Sequence, residues 1–304
     1  MPCTQNGAVQ LGIMLVCCGV ANLIGASLRA EQPKKAQAVS EPTWIELETG
    51  HCISLDAPNK NRVWHEASLD VLIHFHGDRQ VVLENCRRAK LHGVLVVVNF
   101  KGLSEAYRVP FSDQQRFARL LIEVRDSLRQ SGLLSVDGIL RRVDIASFSA
   151  GYGAVREILK QREYFERITG VLMADSIYAG FELNGPVHEV NRQNMAGFLE
   201  LAQSAVAGRK VFVITHTQLK TTGYASTSET AAYLTNSLNL RISQFEDSKD
   251  KTTSQWQPEL KLLSKSEAAG FRVLSYAGDD GQAHLEHLRQ IGRWLPLLRS
   301  DFPR

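Results

Sequence analysis

Residues 143–159 read VDIASFSAGYGAVREIL, a buried-type strand that turns sharply into an amphipathic segment. From Gly151 onward the apolar residues recur at helical spacing, which predicts a helix directly behind the turn. At the corner sits Ser147-Phe148-Ser149-Ala150-Gly151. A serine at a strand–turn–helix corner fits the pattern Gly-x-Ser-x-Gly. The strained turn lifts Oγ clear of the sheet and aims the next N–H at a developing oxyanion. Ser147 replaces the first glycine, and it is small enough for a tight strand–helix contact at some steric cost. Gly151 meets the second requirement, and Gly153 is expected to let the helix lie close to the sheet. A lone S-x-G triplet says little. The apolar lead-in and the helix behind it make Ser149 the candidate nucleophile, with Ala150 N–H as one oxyanion donor and the helix dipole adding to that field.

The surrounding sequence supplies the frame. TWIELE and HCISLDA read as a short hairpin-like opening with Gly50 at the turn. Apolar runs follow at 71–77, 93–100, 142–149, 168–176, 210–217 and 271–278, several of them continuously apolar and β-branched. Strands of that kind are covered on both faces. Amphipathic segments alternate with them, which implies a mostly parallel central sheet flanked by helices. Residues 243–270 are polar and read as a surface excursion with a helical second half.

Composition narrows the function. The chain has 304 residues, 44% hydrophobic and 22% charged, with a net charge of +3 and no massed Lys or Arg. Nucleic acid is therefore not expected as a partner. No Cys/His cluster has metal-ligand spacing, and no metal or other cofactor is expected. Residues 9–28 carry no charge and are followed by a polar stretch at 29–42. That pattern predicts a secretory signal over 1–30 with a linker over 31–42, hence a secreted or periplasmic protein. No Lys or Arg precedes the apolar run, and the run is close to the roughly 20 residues that span a bilayer. Membrane association through 9–28 is the alternative. Removal of the leader would leave Cys52 and Cys86, either as one disulfide or as two buried thiols.

The strand pattern, the elbow after the presumed fifth strand and the histidine-bearing turn near the C terminus resemble the α/β-hydrolase fold. The resemblance covers a single domain, residues 43–304. It implies a triad in the chain order Ser, acid, His. The base then belongs after the last strand, where His284 stands at a helix start and His287 falls three residues later on nearly the same face. His284 is the expected base and His287 a packed or solvated residue. The acid is most often found after the seventh strand, but THTQLKTTGYASTSET offers no carboxylate before Glu229. The sixth strand instead ends in Asp175, an aspartate directly after an apolar run and costly to bury without a partner. Asp175 is the expected acid and Glu229 the alternative. Asp279 and Asp280 are expected to shape the loop that presents His284.

The resemblance also makes the turn His76-Gly77-Asp78 the second oxyanion element, with Gly77 allowing the turn, a backbone N–H from Asp78 or Arg79 as the donor, and His76 bonding the loop. The segment 99–115 would overhang the elbow. Tyr107 and Arg108 from it, with Tyr178, are candidate substrate-binding residues; Phe111, Phe181, His216 and Tyr224 are further candidates for the same surroundings. The expected activity is hydrolysis of a small-molecule or sugar-linked carboxylic ester through an acyl-enzyme. A serine peptidase on the same fold and a catalytically silent binding domain are the rival readings.

Overall fold

The computed structural model describes residues 44–55, 66–184, 188–245 and 260–299. These residues fall in the second of two units into which the chain divides, Pro42–Arg304. The expected leader and linker, residues 1–42, lie outside the described residues, as does the stretch 246–259.

The parallel core forms where the apolar runs fall. Strands β3 (Glu66–Phe75), β4 (Val94–Val98), β5 (Leu134–Phe148), β6 (Ile168–Ala174), β7 (Val211–His216) and β10 (Phe271–Tyr276) pair in parallel in the spatial order β4-β3-β5-β6-β7-β10. Antiparallel strands extend the sheet on both sides. β1 (Ile45–Glu46) and β2 (His51–Ser54) form the opening hairpin against β4, closed by Leu47 N–H donating to Gly50 O. β9 (Leu262–Ala268) and β8 (Ser243–Gln244) extend it beyond β10.

Side-chain alternation along each strand splits the core into two layers. Val71, Ile73 and Phe75 of β3 face one layer; Leu72 faces the other. The first layer is covered by α2 (Ser104–Phe111), α3 (Arg116–Gln130), α4 (Tyr152–Leu159), α5 (Arg162–Arg167), α6 (Arg192–Val206) and α7 (Thr227–Ser237). The second is covered by α1 (Arg79–Arg88), α8 (Gly281–Arg289) and the two short 3₁₀ turns that follow α8. On β5 the same alternation sends Ala146 and Phe148 toward the α1/α8 layer.

Three expectations change. The second half of the 243–270 excursion is strand β9 rather than helix, because it pairs with β10 across the turn at Ala269-Gly270 and tertiary pairing outweighs its local preference. The segment expected to overhang the elbow contains helix α2, which carries Pro110 in its last turn and ends one residue later. Cys52 and Cys86 are free buried thiols, Cys52 in the layer under α2–α7 and Cys86 on α1 in the other. The sheet stands between them.

Candidate active site

The elbow is strained, and its neighbours hold it. Ser149 adopts φ +47°, a left-handed conformation that costs a non-glycine residue about 1–2 kcal/mol. It opens a single 3₁₀ turn, Ser149–Gly151, that leads straight into α4. The corner is tight: a methyl group on Gly151 would lie 2.4 Å from the carbonyl oxygen of Phe75 and 2.7 Å from Ser147 Oγ. Ser147 is fully buried, and its Oγ lies 2.8 Å from Ser176 Oγ. Ser176 Oγ donates to the carbonyl oxygen of Ser149 at 2.8 Å. Since the one proton of Ser176 is used there, Ser147 must be the donor of the pair. Gly153 contacts α2 and not the sheet, contrary to expectation; a methyl group on it would meet Ser104 O at 2.3 Å. The helix behind the elbow turns that face away from the strands.

Asp175 follows β6, and His284 lies in the first turn of α8 behind β10, two positions away in the sheet order. His284 Nδ1 donates to Asp175 Oδ2 at 2.8 Å. A carboxylate only accepts, so Nδ1 carries the hydrogen and Nε2 keeps its lone pair. Asp175 also accepts from Thr217 Oγ1 at 2.8 Å and from Thr217 N at 3.4 Å. Burial alone would raise the Asp175 carboxyl, but the bond from His284, the nearby histidines and the Thr217 hydroxyl together hold it below the usual carboxylate range. Its backbone is itself left-handed, φ +45°, which turns the side chain back across the sheet end.

The ring of His284 stacks on Phe148 (centroids 4.6 Å, 29° between planes), the residue that precedes Ser149. The strand alternation explains this contact, since Phe148 faces the layer to which α8 belongs. Asp280 caps α8 by accepting from Ala283 N at 2.8 Å, so this member of the acidic pair shapes the helix start that carries His284. His287 is fully buried, its Nδ1 2.7 Å from Thr215 Oγ1, and burial pushes its pKa down to about 4. Glu229, the alternative acid, closes a capping box on α7 with Ser226. His216 turns Nδ1 to the carbonyl of Thr217 at 2.8 Å, and burial lowers its pKa.

The His76-Gly77-Asp78 turn lies at the end of β3. His76 is left-handed (φ +67°), and Gly77 has φ +144°, which a side chain rarely tolerates. Gly77 N–H donates to Asn99 Oδ1 at 3.0 Å, and Asn99 Nδ2 donates back to Gly77 O. Gly77 is thus not an oxyanion donor; it makes the turn. The candidate amides on this side are those of Asp78 and Arg79 at the N-terminus of α1, where a helix leaves its first N–H groups without intrahelical partners. The Asp78 side chain caps the same helix through Gln80 N and Val81 N. Ala150 N–H has the equivalent place at the elbow.

Of the expected substrate-binding residues, Tyr107 is not on a surface. It is fully buried, with its hydroxyl 2.8 Å from His76 Nδ1 and accepting from Phe100 N at 3.2 Å. Its place is bracing the turn. Phe111 is buried as well, edge-on to Phe75. Arg108 is half-exposed and doubly hydrogen-bonded to Glu105, at 2.8 and 2.6 Å. Tyr178 lies 5.3 Å from the ring of Tyr152 and 5.8 Å from that of Tyr224, and its hydroxyl donates to Asp175 O at 3.2 Å. Phe181 packs instead against His188.

A recess of about 120 Å³ opens between α2, the first turn of α4 and residues 179–180, with Arg108, Tyr152, Arg156 and Tyr224 in its wall. A larger depression of about 430 Å³ lies at the amino ends of β6 and β7, the opposite side of the sheet from Ser149. Its Lys210 is occupied with the carbonyls of Ile168 and Glu166. Sequence reasoning missed Thr217, Ser176 and Asn99. Each is a polar residue within two positions of the end of an apolar core strand, and that placement is the signal they share with Asp175.

A strand order with β3 and β4 exchanged, a strained serine after the fifth strand and a histidine after the last parallel strand define one arrangement. It is an α/β architecture with a mostly parallel central sheet and flanking helices, consistent with the α/β-hydrolase fold. No protein-family model and no curated protein sequence matches the chain. Among solved structures it is similar to the siderophore hydrolase EstB from Aspergillus nidulans, with TM-score 0.47 and 11% identity over 90% of this chain and 99% of that one. It is also similar to a soluble variant of monoglyceride lipase from Saccharomyces cerevisiae, with TM-score 0.37 and 11% identity over 88% and 98%. The third is the thioesterase domain SrfTE, which cyclises the lipopeptide antibiotic surfactin, with TM-score 0.36 and 11% identity over 84% and 97%.

Proposed function

We propose that the protein is a serine hydrolase that cleaves carboxylic esters through an acyl-enzyme, with Ser149 as nucleophile, His284 as base and Asp175 as acid. The reading is carried by one observation: His284, hydrogen-bonded at 2.8 Å to Asp175, rests its ring on the residue adjoining a serine held at φ +47°. His284 Nε2 takes the Ser149 proton as Oγ attacks the ester carbonyl. Asp175 fixes the tautomer and stabilises the imidazolium without becoming protonated. The amide of Ala150 and one from Asp78 or Arg79 receive the oxyanion. Collapse expels the alcohol, which takes the proton from His284, and water then repeats the sequence in reverse on the acyl-enzyme.

A fluorophosphonate probe tests this reading. The wild-type protein should be labelled and Ser149→Ala should not. Equal labelling of the two, or none of the folded wild type, would sink it. An ester and peptide panel with the same control separates an esterase from a peptidase. Export with loss of residues 1–30 is proposed from the leader pattern, and mass spectrometry of the mature N-terminus tests it: a chain that begins at Met1 rules out cleavage.

A further inference from the structure

We propose that the recess between α2 and α4 is a subsite for a carboxylate carried by the ester substrate, with Arg156 as its counter-ion. This rests on the hydrolase reading of Ser149. Arg156 projects from α4 one helical turn beyond Tyr152, and its guanidinium lies 4.8 Å from the centre of that ring. One Nη donates to the carbonyl of Tyr178 at 3.2 Å. Its Nε is buried with no hydrogen-bond partner, and no carboxylate among the described residues pairs with it.

The other charges around the recess are already matched. Glu105 and Arg108 form their doubly hydrogen-bonded pair, and Glu157, next to Arg156 on α4, is held by Lys160 at 2.8 Å. Arg156 is therefore the cation of this wall with no hydrogen-bonded carboxylate: its guanidinium lies against the Tyr152 ring, and the opposite charge near it, Glu105, is already committed to Arg108. A half-buried guanidinium with idle donors is costly unless something accepts from it. A carboxylate does so in a matching planar geometry.

Place and size narrow the ligand. Tyr152 follows Ser149 by three residues, and the Tyr178 hydroxyl is bonded to the backbone of Asp175. The walls of the recess are thus built on the segments that carry the nucleophile and the acid. Arg156 stands seven residues beyond Ser149, about 10 Å of helical rise, and its side chain shortens that span by reaching back to the ring of Tyr152. A space of about 120 Å³ admits a short acid arm and not a long acyl chain. The rings of Tyr152 and Tyr224 would flank the methylenes. The substrate class is an ester that bears a carboxylate a few carbons from the scissile bond.

The test compares matched pairs. One pair is 4-nitrophenyl hydrogen glutarate against 4-nitrophenyl valerate, with the charge on the acyl side. The other is carboxymethyl butyrate against propyl butyrate, with the charge on the alcohol side. In at least one pair the wild type should prefer the charged member in kcat/KM by about tenfold or more, the scale of a charged hydrogen bond. Arg156→Gln should abolish that preference, chiefly through KM, and Arg156→Lys should keep part of it. A ratio unchanged by Arg156→Gln in both pairs, or an equal fall for both members, would overturn the proposal. Calorimetric titration of Ser149→Ala with methyl hydrogen glutarate, with and without Arg156→Gln, reads the recess apart from turnover. Binding that depends on Arg156 in a protein that cleaves no ester would keep the recess and discard the hydrolase. Neutral-ester turnover with a ratio indifferent to Arg156 would do the reverse.

Discussion

Ser147 Oγ is hydrogen-bonded to Ser176 Oγ at 2.8 Å, and through it to the backbone of the strained Ser149. The residue that departs from the usual glycine is thus part of what holds the elbow. Two serines from adjacent parallel strands reach the carbonyl of the residue whose backbone is strained.

Restoring the glycine should therefore do harm. Ser147→Gly removes a buried hydrogen bond worth about 1 kcal/mol and adds the cost of glycine in a strand, about 0.5–1 kcal/mol. Urea unfolding should show a loss of roughly 1–2 kcal/mol, and ester turnover should fall several-fold as Ser176, which anchors the Ser149 carbonyl, loses its own partner. A neutral or stabilising result would mean that Ser147 is only tolerated.

The acid assignment separates cleanly. Asp175→Asn should lower kcat by about 10⁴, because the amide favours the wrong histidine tautomer. Glu229→Gln should leave kcat close to wild type, since its carboxylate serves the α7 capping box and glutamine fills that role too. Comparable losses in both would reassign the acid.

Thr217 is a positioning residue for Asp175. Thr217→Val deletes the Oγ1–H donor at 2.8 Å and removes one of the influences that lower the carboxyl. Turnover should fall by about tenfold, the scale of a hydrogen bond to a charged group, with KM little changed. The Asp175 carboxyl pKa, read by NMR, should rise. Thr217→Ser should recover most of the rate. A change confined to thermal stability would leave Thr217 a purely structural role.

How far the site could be read from the chain depends on which contacts make it. Asp175 and His284 stand out because a carboxylate or imidazole at the end of a core strand needs a partner, and that need shows in the sequence. The parallel core is equally plain, because β-branched runs such as Val94–Val98 have few other uses. Three contacts were hidden. Tyr107 looks like a loop tyrosine until the fold of α2 places its hydroxyl on His76. Gly77 is legible as the residue that makes the turn, but nothing local shows that Asn99, 22 residues away, takes its N–H. β9 reads as helix because its leucines, Lys265, Glu267 and Ala268 favour helix locally; its pairing with β10 decides. Each depends on long-range packing, to which local pattern is blind.

Acid should unfold the protein before it protonates the Asp175 carboxylate. His74 and His287 are fully buried and neutral, both pushed to about 4 by burial. A histidine whose folded pKa lies below its unfolded value near 6.5 takes up its proton first in the unfolded chain. Its contribution to stability is full above 6.5 and is lost as pH falls toward 4, on the order of 3 kcal/mol for each ring. The depressed Asp175 works in the same direction at lower pH. Melting temperature should drop steeply between pH 6.5 and 4, and a flat profile would show that one or both rings accept a proton in place.

The ten-stranded sheet ends at both edges in strands of two residues, Ile45–Glu46 and Ser243–Gln244. Its interior strands are the kind of continuous β-branched sequence that polymerises when its ladder is open to another chain. Among the described residues, a second copy approaching either edge finds two residues of strand to extend. The caps that complete the hairpins are thus also the sheet's guard against growing into a fibre.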